Sequence, residues 1–185
     1  MLIEETSLPG VLHLTPRVFG DDRGYFVETY SQSKLAAAGM DATFVQDNES
    51  SSQPGVVRGL HYQHPNDQGK LVRVISGAIL DVAVDIRPGS PTFGQWLGYE
   101  LSGTNKQQLW VPPGFAHGFS VLGDESAVIA YKCTAFYAPD CEHTIAWDDP
   151  QLGVDWRVKT PILSDKDQSG ICLRDLPKSD LPPYG

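Results

Sequence analysis

The sequence predicts an all-β fold, a sandwich or barrel built from short strands. Segments rich in valine, isoleucine and tyrosine recur along most of the chain. Turn signals such as "HPNDQG", "RPGSP" and "SGTN" separate them, and one segment alone has helical character. Many short strands at this spacing are typical of sandwiches and barrels. The chain has 185 residues, a length that suits one domain, and we expect a single domain over residues 1–185.

Each predicted strand contains β-branched or aromatic residues, which fit a pleated and half-buried surface. In chain order the predicted strands cover residues 24–30, 42–46, 56–63, 70–76, 78–86, 95–101, 107–111, 117–122 and 126–137. The predicted helix covers residues 31–39, with Ser31 or Ser33 as its cap and Gly39 at its end. From residue 148 onward we expect loops and short turns packed over the barrel.

Charge and composition exclude several classes of protein. The formal net charge of −9 argues against a general nucleic-acid binder and against an anionic-membrane binder. No stretch approaches the roughly 18 apolar residues of a membrane span, and "MLIEETSLPG" lacks the features of a signal peptide. The odd set of cysteines, Cys133, Cys141 and Cys172, suits a reducing compartment. We therefore expect a cytoplasmic protein with no membrane or nucleic-acid partner.

The stretch "VVRGLHYQ" places an imidazole inside a predicted strand. Strict alternation would put the even-numbered residues from Arg58 to Tyr62 on one face and the odd-numbered residues from Val57 to His61 on the other. Lys70 follows His61 closely in sequence. A histidine near a fixed cation is a candidate for proton transfer.

Two stretches resemble the paired motifs of cupin barrels. Gly55 and His61 match the opening of the first motif, and Gly114 and His117 in "PPGFAHGF" resemble the second. Metal-binding cupins continue the first motif with a second histidine and a glutamate, whereas no glutamate follows here before Lys70. A cation at that place would repel a metal ion. We predict no metal, and a metal-dependent cupin enzyme is kept as an alternative.

A longer set of motifs resembles the dTDP-4-dehydrorhamnose 3,5-epimerase family. The motifs are "RGLHYQ", "GKLVRVISGAILDVAVDIRPGSPTFGQW", "QLWVPPGFAHGFSVL", "YKCT" and "LSDKD", and they cover nearly the whole chain in order. The resemblance implies a cupin-type jelly-roll barrel with short peripheral helices, and a homodimer. It also implies epimerisation at C3 and C5 of a nucleotide-linked 4-keto-6-deoxyhexose, toward dTDP-L-rhamnose. No redox cofactor is expected, because the ketone already acidifies both C–H bonds.

The resemblance implies a role for four residues in this chemistry. His61 is the base that removes a proton beside the ketone, and Lys70 stabilises the enolate oxygen. Tyr131 is the acid that returns a proton on the opposite face. Asp167, in "LSDKD", orients His61 as a carboxylate orients other catalytic histidines.

Two other carboxylates compete with Asp167 as the partner of His61. Asp81 and Asp85 lie four residues apart in "DVAVD", so strand alternation puts both on one face. The sequence alone leaves this choice open.

The nucleotide of the implied substrate carries a diphosphate, which guanidinium groups bind well. Arg23 and Arg58 match family positions that contact phosphate and nucleotide. Further positions that the resemblance implies for substrate contact are Glu28, Gln46, Asp47, Asn48, His117, Glu142 and Lys166. Aromatic residues that could stack on the base or line the sugar pocket are Phe19, Phe26 and Tyr137.

Two further alternatives stay open at this point. One is a single-site epimerase that acts at C3 or C5 alone, as in antibiotic-sugar synthesis. The other is a sugar-binding jelly roll without catalysis, which would have no need for His61, Lys70 and Tyr131 together.

Overall fold

The computed structural model describes residues 1–184, and strands dominate this range. The strands are β1 (Leu2–Glu5), β2 (Leu12–Thr15), β3 (Val18–Asp21), β4 (Gly24–Val27), β5 (Gln46–Ser52), β6 (Val57–Gln63), β7 (Lys70–Ser76), β8 (Ala78–Asp85), β9 (Trp96–Ser102), β10 (Gln108–Val111), β11 (Phe115–Leu122), β12 (Ala127–Cys133) and β13 (Glu142–Thr144). The α-helices are α1 (Gln32–Ala37) and α2 (Asp165–Gln168), and short 3₁₀ turns cover Pro139–Cys141, Leu173–Asp175 and Lys178–Asp180. The predicted all-β class with short peripheral helices is confirmed.

Two antiparallel sheets form the body of the fold. The six-stranded sheet has the order β1-β2-β10-β7-β12-β5, and the five-stranded sheet has the order β13-β6-β11-β8-β9. Strands β3 and β4 form a separate hairpin. The main apolar core takes residues from both sheets, including Val72, Leu109 and Ile129 from the first and Ala83, Leu101 and Phe119 from the second. This shared core is what joins two sheets into a jelly roll.

Each sheet is also covered on its outer face. Leu35 and Met40, in and after α1, pack with Leu71 and Trp110 of the six-stranded sheet. The tail after residue 148 covers the five-stranded sheet with Leu152, Trp156, Leu173, Leu176 and Leu181. The tail has the loops and short turns that were expected, together with the four-residue helix α2, which was not predicted. Within residues 1–184, no helix has the length and apolar character needed to cross a membrane.

The region of residues 42–52 differs from its prediction. Of the strand predicted over 42–46, residues 42–45 are not a strand; Phe44 instead packs edge-on against Tyr30 and Trp110, over the six-stranded sheet. The polar residues that follow form β5, the edge strand beside β12. An edge strand whose inner face lines a cavity needs no apolar residues, and β5 has none. Hydrophobic periodicity therefore pointed to the wrong segment.

Smaller differences lie near the N-terminus. The pattern did not predict β1, β2 and β3, which are four residues each. The helix is shorter than predicted: Ser31 occupies the N-cap position without a side-chain bond to the helix, and Gly39 follows the end with a φ of 86°. A positive φ at that place is typical of glycine after a helix.

Candidate active site

A cavity of about 310 Å³ opens between the two sheets. Strands from both sheets contribute to it, so residues that are far apart in sequence face each other across a small space. The predicted site residues that line it are Gln46, Asn48, Arg58, His61, Lys70, His117, Tyr131 and Glu142. The fold therefore brings most of the predicted set together.

A β-bulge in β6 turns both Arg58 and His61 toward the cavity. His61 lies opposite His117, whereas Arg58 lies opposite Phe119. Three residue steps on β6 thus match two steps on β11, which is the definition of a bulge. Leu60 instead packs in the apolar cluster under the C-terminal tail. The strict alternation predicted for this strand, which put Arg58 and His61 on opposite faces, is wrong.

Glycine makes this bulge possible. Gly59 has a φ of 129°, a conformation that residues with a side chain rarely adopt. A Cβ at Gly59 would lie 2.6 Å from the Cα of Gly118, and a Cβ at Gly118 would lie 2.7 Å from the carbonyl oxygen of Arg58. The two backbones approach so closely because both positions lack a side chain.

His61 is paired with Asp167 from the C-terminal segment. Its Nε2 lies 2.7 Å from Oδ1 of Asp167, which is 3% exposed. The backbone N–H of Gly59 donates to the same oxygen at 3.1 Å, and the hydroxyl of Ser164 donates to Oδ2 at 2.6 Å. Burial alone would raise the pKa of Asp167, but the close contact with His61 and the hydrogen bonds from Ser164 and Gly59 outweigh it and lower the pKa to about 2. The carboxylate is therefore charged, and Nδ1 of His61 is left to exchange a proton.

Lys70 and Tyr131 face His61 from the opposite sheet. They lie on neighbouring strands, with Cys133 of β12 opposite Lys70 and Tyr131 opposite Val72. Burial lowers the pKa of Lys70, although the charges of Cys133, Glu142 and Asp81 partly oppose this. A buried ammonium group is a strong partner for a developing oxyanion.

The hydroxyl of Tyr131 is also affected by burial. Burial raises the pKa of Tyr131, and Cys133 and Glu142 act in the same direction, while Arg58 lowers it. Tyr131 therefore keeps its proton at neutral pH. It stands across the cavity from His61, on the side where an acid is needed if His61 is the base.

A second histidine in the cavity also contacts a carboxylate. Nε2 of His117 lies 2.8 Å from Oδ1 of Asp81, which is fully buried on β8. Asp85, the other rival for His61, binds Arg87, Ser90 and Thr92 instead. Of the three candidate carboxylates, Asp167 is the one that lies beside His61.

Arg58 presents its guanidinium to the cavity without a carboxylate partner among residues 1–184. Its Nε donates to Oγ of Ser52 at 3.0 Å, and Ser52 is buried. This bond orients the side chain and leaves both terminal nitrogens available. The arrangement suits two-pronged binding of a phosphate.

Glu142 links the mouth of the cavity to α2. One of its oxygens contacts the amino group of Lys166, and the other accepts a bond from the hydroxyl of Tyr137 at 2.8 Å. Burial raises the pKa of Glu142, but the bonds from Lys166 and Tyr137 outweigh it and lower the pKa. Lys166 precedes Asp167, so α2 supplies groups to both the mouth and the interior.

The sequence matches one protein family along most of its length. The family model described as dTDP-4-dehydrorhamnose 3,5-epimerase matches residues 5–175. A dTDP-4-dehydrorhamnose 3,5-epimerase from Neisseria gonorrhoeae is 52% identical over 182 residues, 98% of this chain and 55% of that protein. The chain belongs to the dTDP-4-dehydrorhamnose 3,5-epimerase family. It spans about half the length of the Neisseria relative. Proteins of this family are isomerases, and so is this chain.

Solved structures agree with the dTDP-4-dehydrorhamnose 3,5-epimerase assignment and with the cupin-like fold. The dTDP-6-deoxy-D-glucose-3,5-epimerase RmlC from Legionella pneumophila Philadelphia 1, in complex with dTDP-4-keto-L-rhamnose, superposes with a TM-score of 0.96 at 48% identity. The match covers 100% of this chain and 98% of that one. ChmJ, a 3'-monoepimerase from Streptomyces bikiniensis in complex with dTDP-quinovose, has a TM-score of 0.85 at 35% identity, covering 91% of this chain and 86% of that one.

Some positions implied by the epimerase family lie outside the cavity. Arg23 binds Asp21 at the exposed tip of the β3–β4 hairpin. Glu28 pairs with Lys34 at 2.6 Å on the surface. Asp47 points to the other face of β5 and binds Lys132 at 2.9 Å. Within one copy of the described chain, these three residues do not join the catalytic cluster.

No group of three or more His, Cys, Asp or Glu side chains within residues 1–184 is arranged to hold a metal ion. His61 and His117, the residues that a metal-binding cupin would use, each direct one ring nitrogen at an aspartate.

Several polar residues of the cavity and its supports were not predicted from the sequence. Ser50 lines the cavity, and Ser52 and Ser164 hold Arg58 and Asp167. Ser50 and Ser52 belong to a series of polar residues at every second position, which begins at Gln46. This alternation indicates a strand face, but β5 was not predicted as a strand, so the series gave no prediction. Ser164 could have been found as the N-cap of a short helix with Asp three residues later.

Proposed function

We propose that this chain converts dTDP-4-dehydro-6-deoxy-D-glucose to dTDP-4-dehydro-L-rhamnose by epimerisation at C3 and C5, a step toward dTDP-L-rhamnose. One observation carries the proposal: the His61–Asp167 pair faces Lys70 and Tyr131 across one cavity. The names of its relatives and the ligand of the Legionella structure support the substrate class.

The first half-reaction is removal of a proton from a carbon beside the C4 ketone. Nδ1 of His61 takes the proton, and the C–H electron pair moves to form a C=C bond while the ketone oxygen becomes an enolate. Asp167 stabilises the resulting imidazolium through Nε2, where the two groups lie 2.7 Å apart. The ammonium group of Lys70 stabilises the enolate oxygen.

The second half-reaction returns a proton to the same carbon from the opposite face. Tyr131 donates its hydroxyl proton as the enolate collapses back to the ketone, and this inverts the centre. Its raised pKa keeps the hydroxyl protonated until that step. The tyrosinate and the imidazolium then exchange protons with water, so the site returns to its starting state. No redox cofactor takes part.

Nucleotide binding falls to the polar groups around the catalytic cluster. Arg58 is proposed to bind the diphosphate, because Ser52 orients it and no carboxylate neutralises it within residues 1–184. The other predicted contacts that line the cavity or its mouth are Gln46, Asn48, His117, Glu142 and Lys166. Asp47 is assigned no contact, because it lies on the other face of β5 and binds Lys132. Replacing Arg58 by lysine keeps the charge but removes the fork, so affinity for thymidine diphosphate should fall about 10-fold in a calorimetric titration.

A homodimer accounts for the predicted residues that lie outside the cavity. The β3–β4 hairpin carries Arg23 together with Phe19 and Phe26, which are 50% and 69% exposed. Exposed aromatic residues on a projecting hairpin suit a contact with another protein surface. We propose that the hairpin of one copy reaches the cavity of the partner, with Glu28 near its base.

Mixed dimers test this arrangement. If each site needs His61 from one chain and Arg23 from the other, His61→Ala and Arg23→Ala are each inactive alone. Refolded together they should regain up to about a quarter of the wild-type rate, because some mixed dimers hold one intact site. Sedimentation of the wild-type chain as a monomer, or no recovery on mixing, would contradict the proposal.

A second candidate is a single-site epimerase, which the similarity to a 3'-monoepimerase favours. The same base and acid would serve it, since the difference lies in which carbon the bound ring presents.

We further propose that residues 1–185 act as one domain, and that the protein works in the cytoplasm, where its three free cysteines stay reduced.

Incubation with dTDP-4-dehydro-6-deoxy-D-glucose in heavy water tests the proposed reaction. NMR should show product with deuterium at both C3 and C5, and a chelator should leave the rate unchanged. Deuterium at one carbon only would identify the single-site enzyme. If a chelator lowered the rate and a divalent metal ion restored it, the result would support the metal-dependent cupin enzyme instead. If no deuterium entered the sugar, the result would support a sugar-binding jelly roll without catalysis.

A further inference from the structure

Ser164 makes two bonds to one residue, Asp167. The serine is the N-cap of α2, and its Oγ accepts from the backbone N–H of Asp167 at 3.2 Å. The same hydroxyl donates to Oδ2 of Asp167 at 2.6 Å. A hydroxyl that both accepts from the backbone and donates to the side chain of one residue restricts that residue to a narrow set of rotamers.

The remaining oxygen of Asp167 is held from the other side. Oδ1 accepts from the backbone N–H of Gly59 at 3.1 Å and contacts Nε2 of His61 at 2.7 Å. Gly59 belongs to the bulge that aims His61 into the cavity. Asp167 is thus fixed by the bulge through Oδ1 and by Ser164 through Oδ2.

We propose that Ser164 is a positioning residue, which acts on His61 through Asp167 and touches no substrate. This inference rests on the proposed function, since it assigns His61 as the base. Without the hydroxyl, the carboxylate can rotate about its Cβ–Cγ bond and lose its alignment with Nε2. The imidazole would then be less well held in the orientation that presents Nδ1 to the sugar.

Three variants separate positioning from a merely structural role. Ser164→Ala removes the hydroxyl, and Ser164→Thr keeps it. Ser169→Ala is the matched control, because Ser169 ends the same helix and its hydroxyl binds the carbonyl of Lys166 but not Asp167. Circular dichroism and melting curves establish that each variant is folded before kinetics are compared.

The expected result is a split between catalysis and binding. Ser164→Ala should lower kcat about 10-fold with KM and the affinity for thymidine diphosphate unchanged. Ser164→Thr should restore most of the rate, and Ser169→Ala should match the wild type. The proposal would be overturned if the lower rate of Ser164→Ala were fully explained by a smaller folded fraction at the assay temperature. It would also be overturned if Ser169→Ala lost as much rate as Ser164→Ala.

A measurement without substrate keeps this test independent of the reaction. The proton on Nε2 of His61, in contact with a carboxylate, should give a downfield resonance that is absent from His61→Asn. In Ser164→Ala this resonance should shift or vanish by exchange with water, and in Ser169→Ala it should persist. An unchanged resonance in Ser164→Ala overturns the positioning role. A wild-type protein that shows the resonance but no epimerisation overturns the proposed function instead.

Discussion

His61 and His117 face each other across β6 and β11, and each contacts one aspartate at nearly the same distance. Nε2 of His61 lies 2.7 Å from Asp167, and Nε2 of His117 lies 2.8 Å from Asp81. Both aspartates are buried. The His117–Asp81 contact has hydrogen-bond geometry, whereas His61 and Asp167 approach as a close ion pair without it. The two pairs also differ in how the rest of the protein holds the carboxylate.

Asp167 has partners on both oxygens, whereas Asp81 has a partner on one. Oδ2 of Asp81 is buried and accepts no hydrogen bond within the described chain. Gly59 and Ser164 add bonds to Asp167, and within residues 1–184 no backbone or hydroxyl group adds such a bond to Asp81. A carboxylate fixed on both sides holds its histidine in one orientation while the ring gains and loses a proton. The comparison therefore favours His61 for proton transfer and His117 for substrate contact.

The largest effect is expected from removal of the base. His61→Ala should lower the rate of epimerisation about 10²–10⁴-fold, the usual scale for one acid–base group. The fold should survive, because one cavity side chain is lost. Initial rates followed by NMR check this, and a folded variant with a near-normal rate would remove His61 from the mechanism.

Asp167→Asn tests the carboxylate that has partners on both oxygens, and it should lower kcat about 10²-fold. The amide of asparagine keeps the shape of the carboxylate but carries no charge, so it no longer stabilises the imidazolium. Its NH₂ group can also donate to Nε2, which favours the tautomer with the proton on Nδ1, where it blocks the base. Binding of thymidine diphosphate should be unchanged in calorimetry. If kcat stays within 2-fold or so of the wild type, Asp167 has no part in proton transfer.

Tyr131→Phe separates the two half-reactions. The ring is kept and the hydroxyl is lost, so His61 can still remove and return a proton on its own face. Deuterium exchange into the substrate should therefore outlast net epimerisation, which should fall about 10²-fold. Exchange and epimerisation that decline together, or that both persist, point to a different acid.

Asp81→Asn tests the less well-held pair and should have a smaller effect, about 10-fold, seen mainly in KM. The reason is that His117 is assigned to substrate contact rather than proton transfer. Asp149→Asn is a control for the loss of a buried carboxylate, because Asp149 binds backbone N–H groups of Gln151 and Leu173 and does not line the cavity. A kcat loss in Asp81→Asn as large as that in Asp167→Asn would remove the distinction between the pairs.

The smallest effect concerns stability in acid. The pKa of Asp167 in the folded protein is about 2, below its ordinary value of 3.8. Asp167 therefore stabilises the fold above about pH 4, and this contribution is lost as the pH falls toward 2. In urea unfolding, Asp167→Asn should lose less stability than the wild type between pH 5 and about pH 2.5. An equal loss in both proteins would contradict the lowered pKa.

Much of the fold was readable from sequence, because buried strands carry their own signal. Strands β6 to β9 contain β-branched or aromatic residues between clear turns, and their predicted bounds lie within a residue or so of those in the structure. β5 has no such signal. Its inner face lines a polar cavity instead of the core, through Gln46, Asn48 and Ser50, so periodicity of apolar residues could not reveal it.

The sequence by itself determined which groups are candidates for the proposed chemistry, because its motifs resemble a family in which His61, Lys70 and Tyr131 have implied roles. Only the tertiary structure decided how they meet. The bulge at Gly59 is defined by its contact with a second glycine on another strand, so no local pattern could place Arg58 and His61 on one face. Likewise, the choice of Asp167 over Asp81 depends on a segment that returns to the barrel more than a hundred residues later. Local sequence encodes residue type and strand propensity, whereas pairing between distant segments is set by packing.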